Sequence, residues 1–396
     1  MKSLISHDMV KFTCRMKHFY SLISHRTEMR MLSWFKQQKV KKDLLNINRN
    51  TIIISKSRDI YENLAFEDWL YTKCDLTKRD IFILLMWYNG PAVVLGRHQN
   101  PWLECSLDFC EASGISIARR NSGGGTVYHD YGNLNCSFFT PRSKYDRKNN
   151  LQIICDAIRD HWLLDLHISQ RDDILLNEDY KISGTASKLG RTNAYHHCTV
   201  LISVDEVKLK QALHRELPKV ESKSTQSVRA KVKNLKLLCP DIDISRMIKA
   251  VTKEYKKNYN VQCEDIFDLD INEDNCPGLK PIQEKLKSWQ WCFGHTPQFT
   301  ITKSFPLCFS FSQWQLKQLP SELQINLSVK KGVIEDIFLM PQVLELQSFN
   351  SLRCSILGSR FVPKLNISFK NATVADEVLL KFIISCIKQM ISDLYR

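Results

Sequence analysis

The densest chemistry in the sequence is Arg119-Arg120-Asn121-Ser122-Gly123-Gly124-Gly125-Thr126-Val127-Tyr128-His129-Asp130, two guanidinium groups followed by a triple glycine. Glycines in a row let the backbone turn sharply and approach a ligand closely. Successive amides in such a turn converge on a concavity that favours an anionic group. Arg119 and Arg120 add fixed charge and bidentate donors suited to phosphate or carboxylate. With Ser122, Gly123, Gly124 and Gly125 they form a candidate anion-binding set. Glycine runs mostly mark turns, so a bare triple glycine reads first as a hairpin loop with solvated arginines. The flanks shift that reading toward a ligand. Ile115 to Ala118 alternates before the loop, and Gly132 to Phe139 follows it as a second strand-like run.

A second rich stretch opens at Arg171-Asp172-Asp173, runs through Tyr180-Lys181-Ile182-Ser183-Gly184-Thr185-Ala186 and closes on Tyr195-His196-His197-Cys198-Thr199-Val200-Leu201. A lone lysine in such a run reads as a surface residue. The paired histidines suggest metal, but neighbours on a strand point to opposite faces and cannot readily share one ion, so no metal site is expected. The 14 cysteines include no Cys-x-x-Cys pair and no zinc-site spacing. A disulfide framework does not suit a chain this large, and a reducing compartment is the simplest reading.

The elements that must position these residues are legible in outline. Thr51 to Ser55 reads as a strand, and Asp59 with Glu62 resembles a helix cap ahead of Leu64, Trp69 and Leu70. Ile81 to Tyr88 is a buried strand, turned by Asn89-Gly90-Pro91 into Ala92 to Leu95. The polar loop Gly96-Arg97-His98-Gln99-Asn100-Pro101-Trp102 follows. Residues 151–164 and 241–258 read as helices. Residues 224–234 read as a polar loop entering a helix that ends near Leu238. Residues 264–278 are acidic and turn-rich, which reads as a connector. Trp289 to Pro297 closes the first unit. Residues 298–340 alternate as strands and 376–394 as an amphipathic helix, giving a smaller second unit.

Composition sets the outer bounds. At 396 residues with 43% hydrophobic residues, the chain can bury one large core and one small one. No apolar run is long enough to span a bilayer. The net charge of +14 invites a nucleic-acid partner, but residues 1–50 hold 11 Lys and Arg against three acids, a net of +8. The remainder carries +6 and shows no basic–aromatic platform, so neither nucleic acid nor membrane is expected as a partner. The acid-poor, serine-bearing basic leader fits a mitochondrial presequence over residues 1–45.

In order along the chain, Gly96-Arg-His-Gln-Asn-Pro-Trp102, the Arg119–Asp130 block, Lys181-Ile-Ser-Gly184, His196-His-Cys-Thr199 and Trp289-Gln-Trp-Cys-Phe-Gly294 resemble the blocks of the lipoate–protein ligase family, and most closely its mitochondrial lipoyltransferase branch. The likeness is strong over roughly residues 51–300 and weak beyond. It implies an α+β fold. A mixed-sheet catalytic domain over residues 50–292, like biotin and lipoate–protein ligases and class II aminoacyl-tRNA synthetases, precedes a smaller accessory domain over residues 293–396. It implies lipoyl-adenylate (lipoyl-AMP) as acyl donor, with no tightly bound cofactor, and Mg2+ with ATP if the chain is a full ligase. Lys181 then contacts the phosphate and acyl oxygen. Tyr128, Arg171, Thr199, Val228 and Ala230 match positions that touch the nucleotide or phosphate.

The function implied is acyl transfer to a lysine on lipoyl domains of 2-oxo-acid dehydrogenase acyltransferase subunits, in the mitochondrial matrix, by a monomer. The donor is lipoyl-AMP or the lipoylated glycine-cleavage H protein. An ATP-dependent ligase and a non-catalytic adenylate-binding or lipoyl-domain-binding protein are the competing readings. No general base is evident. Fused to a fluorescent reporter, residues 1 to about 40 are expected to direct import into mitochondria. A diffuse cytosolic signal would remove the leader assignment.

Overall fold

The computed structural model describes residues 44, 47–177, 179–213, 220–228, 230–307, 321–341, 347–369 and 374–396. The leader therefore lies outside the described residues, apart from Leu44. The architecture is α+β, built on a six-stranded mixed sheet in the order Thr185–Leu189, Asn193–Leu201, Asn133–Pro141, Ile83–Trp87, Thr51–Ser55 and Ile266–Leu269. The last three strands run parallel to one another and the others are antiparallel.

Both faces of this sheet are covered, which is why Asn133–Pro141 is buried along its whole length. One face packs under the helices Arg147–Trp162 and Ile244–Tyr259 through Leu84, Met86, Phe138, Cys198 and Val200. The other carries Leu85, Trp87, Phe139 and Tyr195 against the helix Ile60–Lys73. Asp59 caps that helix, its Oδ1 accepting from the amides of Tyr61 and Glu62 at 2.6 and 3.0 Å.

Two expectations are corrected. Ile266–Leu269, within the stretch read as a connector, is an edge strand in parallel register with Thr51–Ser55. Its acidic residues hid a four-residue strand that needs only one neighbour. The helix expected to end near Leu238 is only the single 3-10 turn Leu235–Leu237, while the described residues of 224–234 form the expected loop. The loop backbone is bonded to Lys181, whose amide donates to Lys231 O at 2.9 Å and whose carbonyl accepts from Lys233 N at 3.3 Å.

Three smaller sheets surround the first. Ser116–Arg119, Ala92–Leu95 and Val127–His129 form one, and the hairpins of Leu166–Ile168, Ile174–Leu176 and Tyr180–Lys181 form another. The third joins Phe299–Pro306, Glu322–Lys330 and Val333–Met340 and takes its edge strand, Val220–Ser222, from far upstream. Its apolar face packs against the helices Gln347–Ile356 and Val374–Asp393.

Arg119 ties these parts together. Its fully buried guanidinium donates to Cys292 O at 2.9 and 2.6 Å, to the carbonyls of Gly96, Arg97 and Gln99 at 3.0, 3.1 and 2.8 Å, and to Thr296 Oγ1 at 3.2 Å. In return Trp291 Nε1 donates to Arg119 O at 2.7 Å. The Gly96 and Trp289 blocks are thereby fastened to the strand that leads into the glycine loop. Arg119→Met should lower stability by at least about 2 kcal/mol in urea denaturation, because several buried carbonyls lose their donor. Arg119→Lys should not rescue it, since one ammonium cannot span two segments. Near-wild-type midpoints for both variants would contradict this clamp.

Candidate functional site

The glycine loop leaves the strand Ser116–Arg119 and returns as Val127–His129 on the other side of Ala92–Leu95. Gly124 has φ +84, a conformation that side-chain-bearing residues rarely adopt. Gly96 lies under the loop so closely that a Cβ there would stand 2.0 Å from Gly124 O. Arg120, buried beneath the turn, fixes its orientation. Its Nη2 donates to Gly123 O and Gly125 O at 2.6 and 2.7 Å, its Nη1 to Val94 O at 2.9 Å and its Nε to Ser122 Oγ at 3.0 Å. With those carbonyls drawn down, the amides of Gly124 and Gly125 carry no hydrogen bond among the described residues.

Ser122 continues the line. Its Oγ lies 2.9 Å from His197 Nε2, and His197 Nδ1 lies 2.8 Å from Glu67 Oε1. Ser137 donates to the same carboxylate oxygen at 2.6 Å and accepts from Trp87 Nε1 at 3.1 Å. One polarity satisfies every member: Arg120 donates to Ser122, Ser122 to Nε2, and Nδ1–H to Glu67. Burial works to raise the Glu67 carboxyl, but His197 beside it, with the hydrogen bonds from His197 and Ser137, holds it below the ordinary carboxylate range. Burial pulls Arg120 down to about 10, still a cation at neutral pH. A buried cation and a buried carboxylate are thus joined through Ser122 and His197.

Lys181 approaches from the opposite wall, its Nζ 2.8 Å from Asp173 Oδ1. Beside it Thr199 Oγ1 accepts from Gly184 N at 2.8 Å. Residues 225–228 form the roof. Ser227 Oγ accepts from Thr126 N and from Gln99 Nε2, both at 2.9 Å, and donates to Glu104. Gln99 Oε1 in turn accepts from Gly96 N and Thr126 Oγ1.

These parts enclose cavities of about 340 and 720 Å3 that share Val127, Lys181, Gly184, Thr199 and Val228 as lining. The smaller has apolar walls at Leu64, Trp87, Val94 and Ala186, and cations at Arg120, Arg147, Arg171 and Lys181. The larger is lined by Tyr128, Asn133, Leu201, Leu209, Ala230 and Val232. Among the described residues, no group of three or more His, Cys, Asp or Glu is arranged to hold a metal.

A model of the lipoyl protein ligase A/B catalytic domain matches residues 59–256. The mitochondrial lipoyl amidotransferase of Homo sapiens is 39% identical over 320 residues, covering 80% of this chain and 83% of its own length. That of Mus musculus is 40% identical over 315 residues, covering 79% and 82%. The chain belongs to the lipoate–protein ligase family. It is a lipoyl transferase, an enzyme of protein lipoylation, and it is mitochondrial like these two relatives. Among solved structures, Plasmodium falciparum LipL1 in complex with lipoate shares the fold with a TM-score of 0.57 at 26% identity, covering 86% of this chain and 99% of that one. Lipoate–protein ligase A bound with ATP has the same fold at a TM-score of 0.52 and 22% identity, covering 62% and 98%.

Within this lipoyl transferase fold, the structure gathers most of the candidates read from the sequence. Arg120, Gly124, Gly125, Arg171, Lys181, Thr199 and Val228 line the smaller cavity, and Tyr128 and Ala230 join Lys181, Thr199 and Val228 around the larger. Arg119, Ser122 and Gly123 line neither. Arg119 is taken up by backbone carbonyls, Ser122 lies in the relay, and the Gly123 carbonyl faces Arg120. His196 and His197 do face opposite ways: His196 is buried beside Phe138, while His197 borders the smaller cavity.

The sequence reading missed Glu67, Arg147, Asp173 as the partner of Lys181, and the Gln99–Ser227 link. Glu67 left a trace, for it falls on the buried stripe Ile60, Leu64, Glu67 of its helix, where a carboxylate needs a partner.

His129 borders the same cavity and donates from Nδ1 to Asn89 Oδ1 at 3.3 Å. Burial, helped by the charges of Arg120 and His197, pulls its pKa down to about 3. An unfolded chain protonates this side chain near 6.5. Between the two values the unfolded state binds more protons, so stability should fall as pH drops from about 6.5 toward 3. His129→Gln should flatten that fall in urea midpoints measured across the range. An unchanged slope would exclude His129 as its source.

Proposed function

We propose that this lipoyl transferase moves a lipoyl or octanoyl group from lipoyl-AMP, or from lipoylated glycine-cleavage H protein, to a specific lysine on lipoyl domains of 2-oxo-acid dehydrogenase acyltransferase subunits. The observation that carries the proposal is Lys181, a cation bordering both cavities opposite the unpaired glycine amides. In this reading the acyl chain lies in the smaller cavity against Leu64, Trp87 and Val94. The nucleotide lies in the larger, against Tyr128, Val228 and Ala230. The mixed anhydride lies between them at Lys181 and Thr199, with Arg171 toward the phosphate.

The lysine amine of the acceptor attacks the acyl carbon, the carbonyl C–O bond to phosphate breaks, AMP leaves and the amine gives up one proton. Negative charge grows on the acyl oxygen and on the departing phosphate. Lys181 and the Gly124 and Gly125 amides stabilise that charge more in the transition state than in the ground state. Asp173 holds the Lys181 ammonium in place, and orientation of the incoming amine supplies part of the rate.

Residues 1–45 are proposed as a presequence, 50–292 as the donor-binding unit and 293–396 as the accessory unit. A second reading, a complete ligase that makes its own adenylate from ATP and Mg2+, is supported by the lipoate–protein ligase A of Bdellovibrio bacteriovorus, 31% identical over 78% of this chain and 88% of its own length.

The test supplies purified protein with an apo lipoyl domain and each donor separately, and reads acylation by intact mass. Acylation with lipoyl-AMP is expected, and pyrophosphate release from ATP marks the ligase reading. Lys181→Ala should retain its fold and lose at least about a hundredfold in rate, on the order of 3 kcal/mol of barrier. Transfer within a few-fold of wild type would remove Lys181 from the chemistry.

A further inference from the structure

Between Lys223 and Leu238 the sequence holds five cations, Lys223, Arg229, Lys231, Lys233 and Lys236, and no acidic residue. This is also the segment that roofs the cavities and flanks Lys181, through Lys181 N donating to Lys231 O at 2.9 Å. Lys223, Lys231 and Lys236 are exposed, and no carboxylate pairs with them among the described residues. Asn234 staples the segment to the start of the helix Glu206–Leu213. Its Oδ1 accepts from Val204 N at 2.8 Å, and its Nδ2 donates to Val204 O at 2.8 Å and Glu206 Oε1 at 3.1 Å. Val207, on that helix, and Val228, Leu237 and Leu238 are exposed beside the lysines.

We propose that this face docks the acceptor protein and reads an acidic surface around its target lysine. The proposal rests on the transfer reading above. Exposed aliphatic side chains bordered by unpaired charge are the composition of an association surface. The uncompensated cations attract an acidic partner and fix its orientation more than they add affinity. Their position beside Lys181 brings a docked lysine to the cavity mouth. The segment has no aromatic residue on which a nucleic-acid base could stack, and among its described residues only one 3-10 turn, so these offer no amphipathic helix to a bilayer.

The experiment compares wild type with the double variant Lys231→Glu/Lys236→Glu and with Leu237→Ser, using lipoyl-AMP and two nucleophiles, an apo lipoyl domain and hydroxylamine. Hydroxylamine bypasses protein docking. The double variant should raise KM for the lipoyl domain at least tenfold and flatten its dependence on salt, while hydroxylamine cleavage of lipoyl-AMP stays at the wild-type rate. Leu237→Ser should raise the same KM less, without changing the salt response. Wild-type KM and salt slope in the double variant, with hydroxylamine cleavage intact, overturn the docking face. So does wild type binding RNA or anionic vesicles in preference to the lipoyl domain. Failure of wild type itself to transfer the lipoyl group from lipoyl-AMP to either nucleophile, as lipoyl hydroxamate or acylated domain, strikes the transfer reading instead.

Discussion

A buried guanidinium cannot be left without acceptors, and this structure is arranged around meeting that need twice in succession. Arg120 has its donors filled by Val94, Ser122 and the two outer carbonyls of the triple glycine. Because those carbonyls turn down to the cation, the inner amides are left free. The same constraint reaches across the sheet, since Ser122 and His197 connect the cation to Glu67. Removing one partner from such a line would strand the others in a low-dielectric interior, where an unpaired group is costly. The loop is therefore preorganised by its support, before any ligand arrives.

Arg119 applies the same physics to architecture. Its side chain binds carbonyls from the Gly96 block and from the turn after Trp291, segments nearly two hundred residues apart in sequence. The conspicuous arginine pair divides its work accordingly: one member fastens the scaffold and the next fastens the loop. Gln99 and Ser227 extend this fastening to the roof, and Val220–Ser222 ties the same stretch to the four-stranded sheet at the far end of the chain. The cavity roof is thus held at one end by the glycine loop and at the other by the C-terminal sheet.

How far these features were legible depended on how local their causes are. The Asp59 cap, the strand at Ala92–Leu95 and the turn through Gly124 follow from residue type and spacing over a few positions, and they stand where the sequence puts them. The opposite facing of His196 and His197 follows from strand alternation alone. Ile266–Leu269 was not legible, because a short edge strand takes its identity from the partner beside it. The helix expected to follow the polar loop of residues 224–234 shrinks to one 3-10 turn, and the loop's backbone bonds to Lys181, a neighbour some fifty residues upstream.

The sequence by itself determined the family, through five ordered blocks, and with it the fold class and the activity, and it singled out the cationic, glycine-rich stretch. Those are properties of residue types in fixed order, and order survives without coordinates. Only the tertiary structure decided which charges face the cavity and which are consumed in holding it. Arg119 and Arg120 are adjacent and chemically identical, yet a strand sends consecutive side chains to opposite sides. One is surrounded by the carbonyls of distant loops, while the other lies at the cavity wall. Glu67 shows the converse. Nothing near it in sequence marks its role, because its partners Ser137 and His197 arrive from strands seventy and a hundred and thirty residues away.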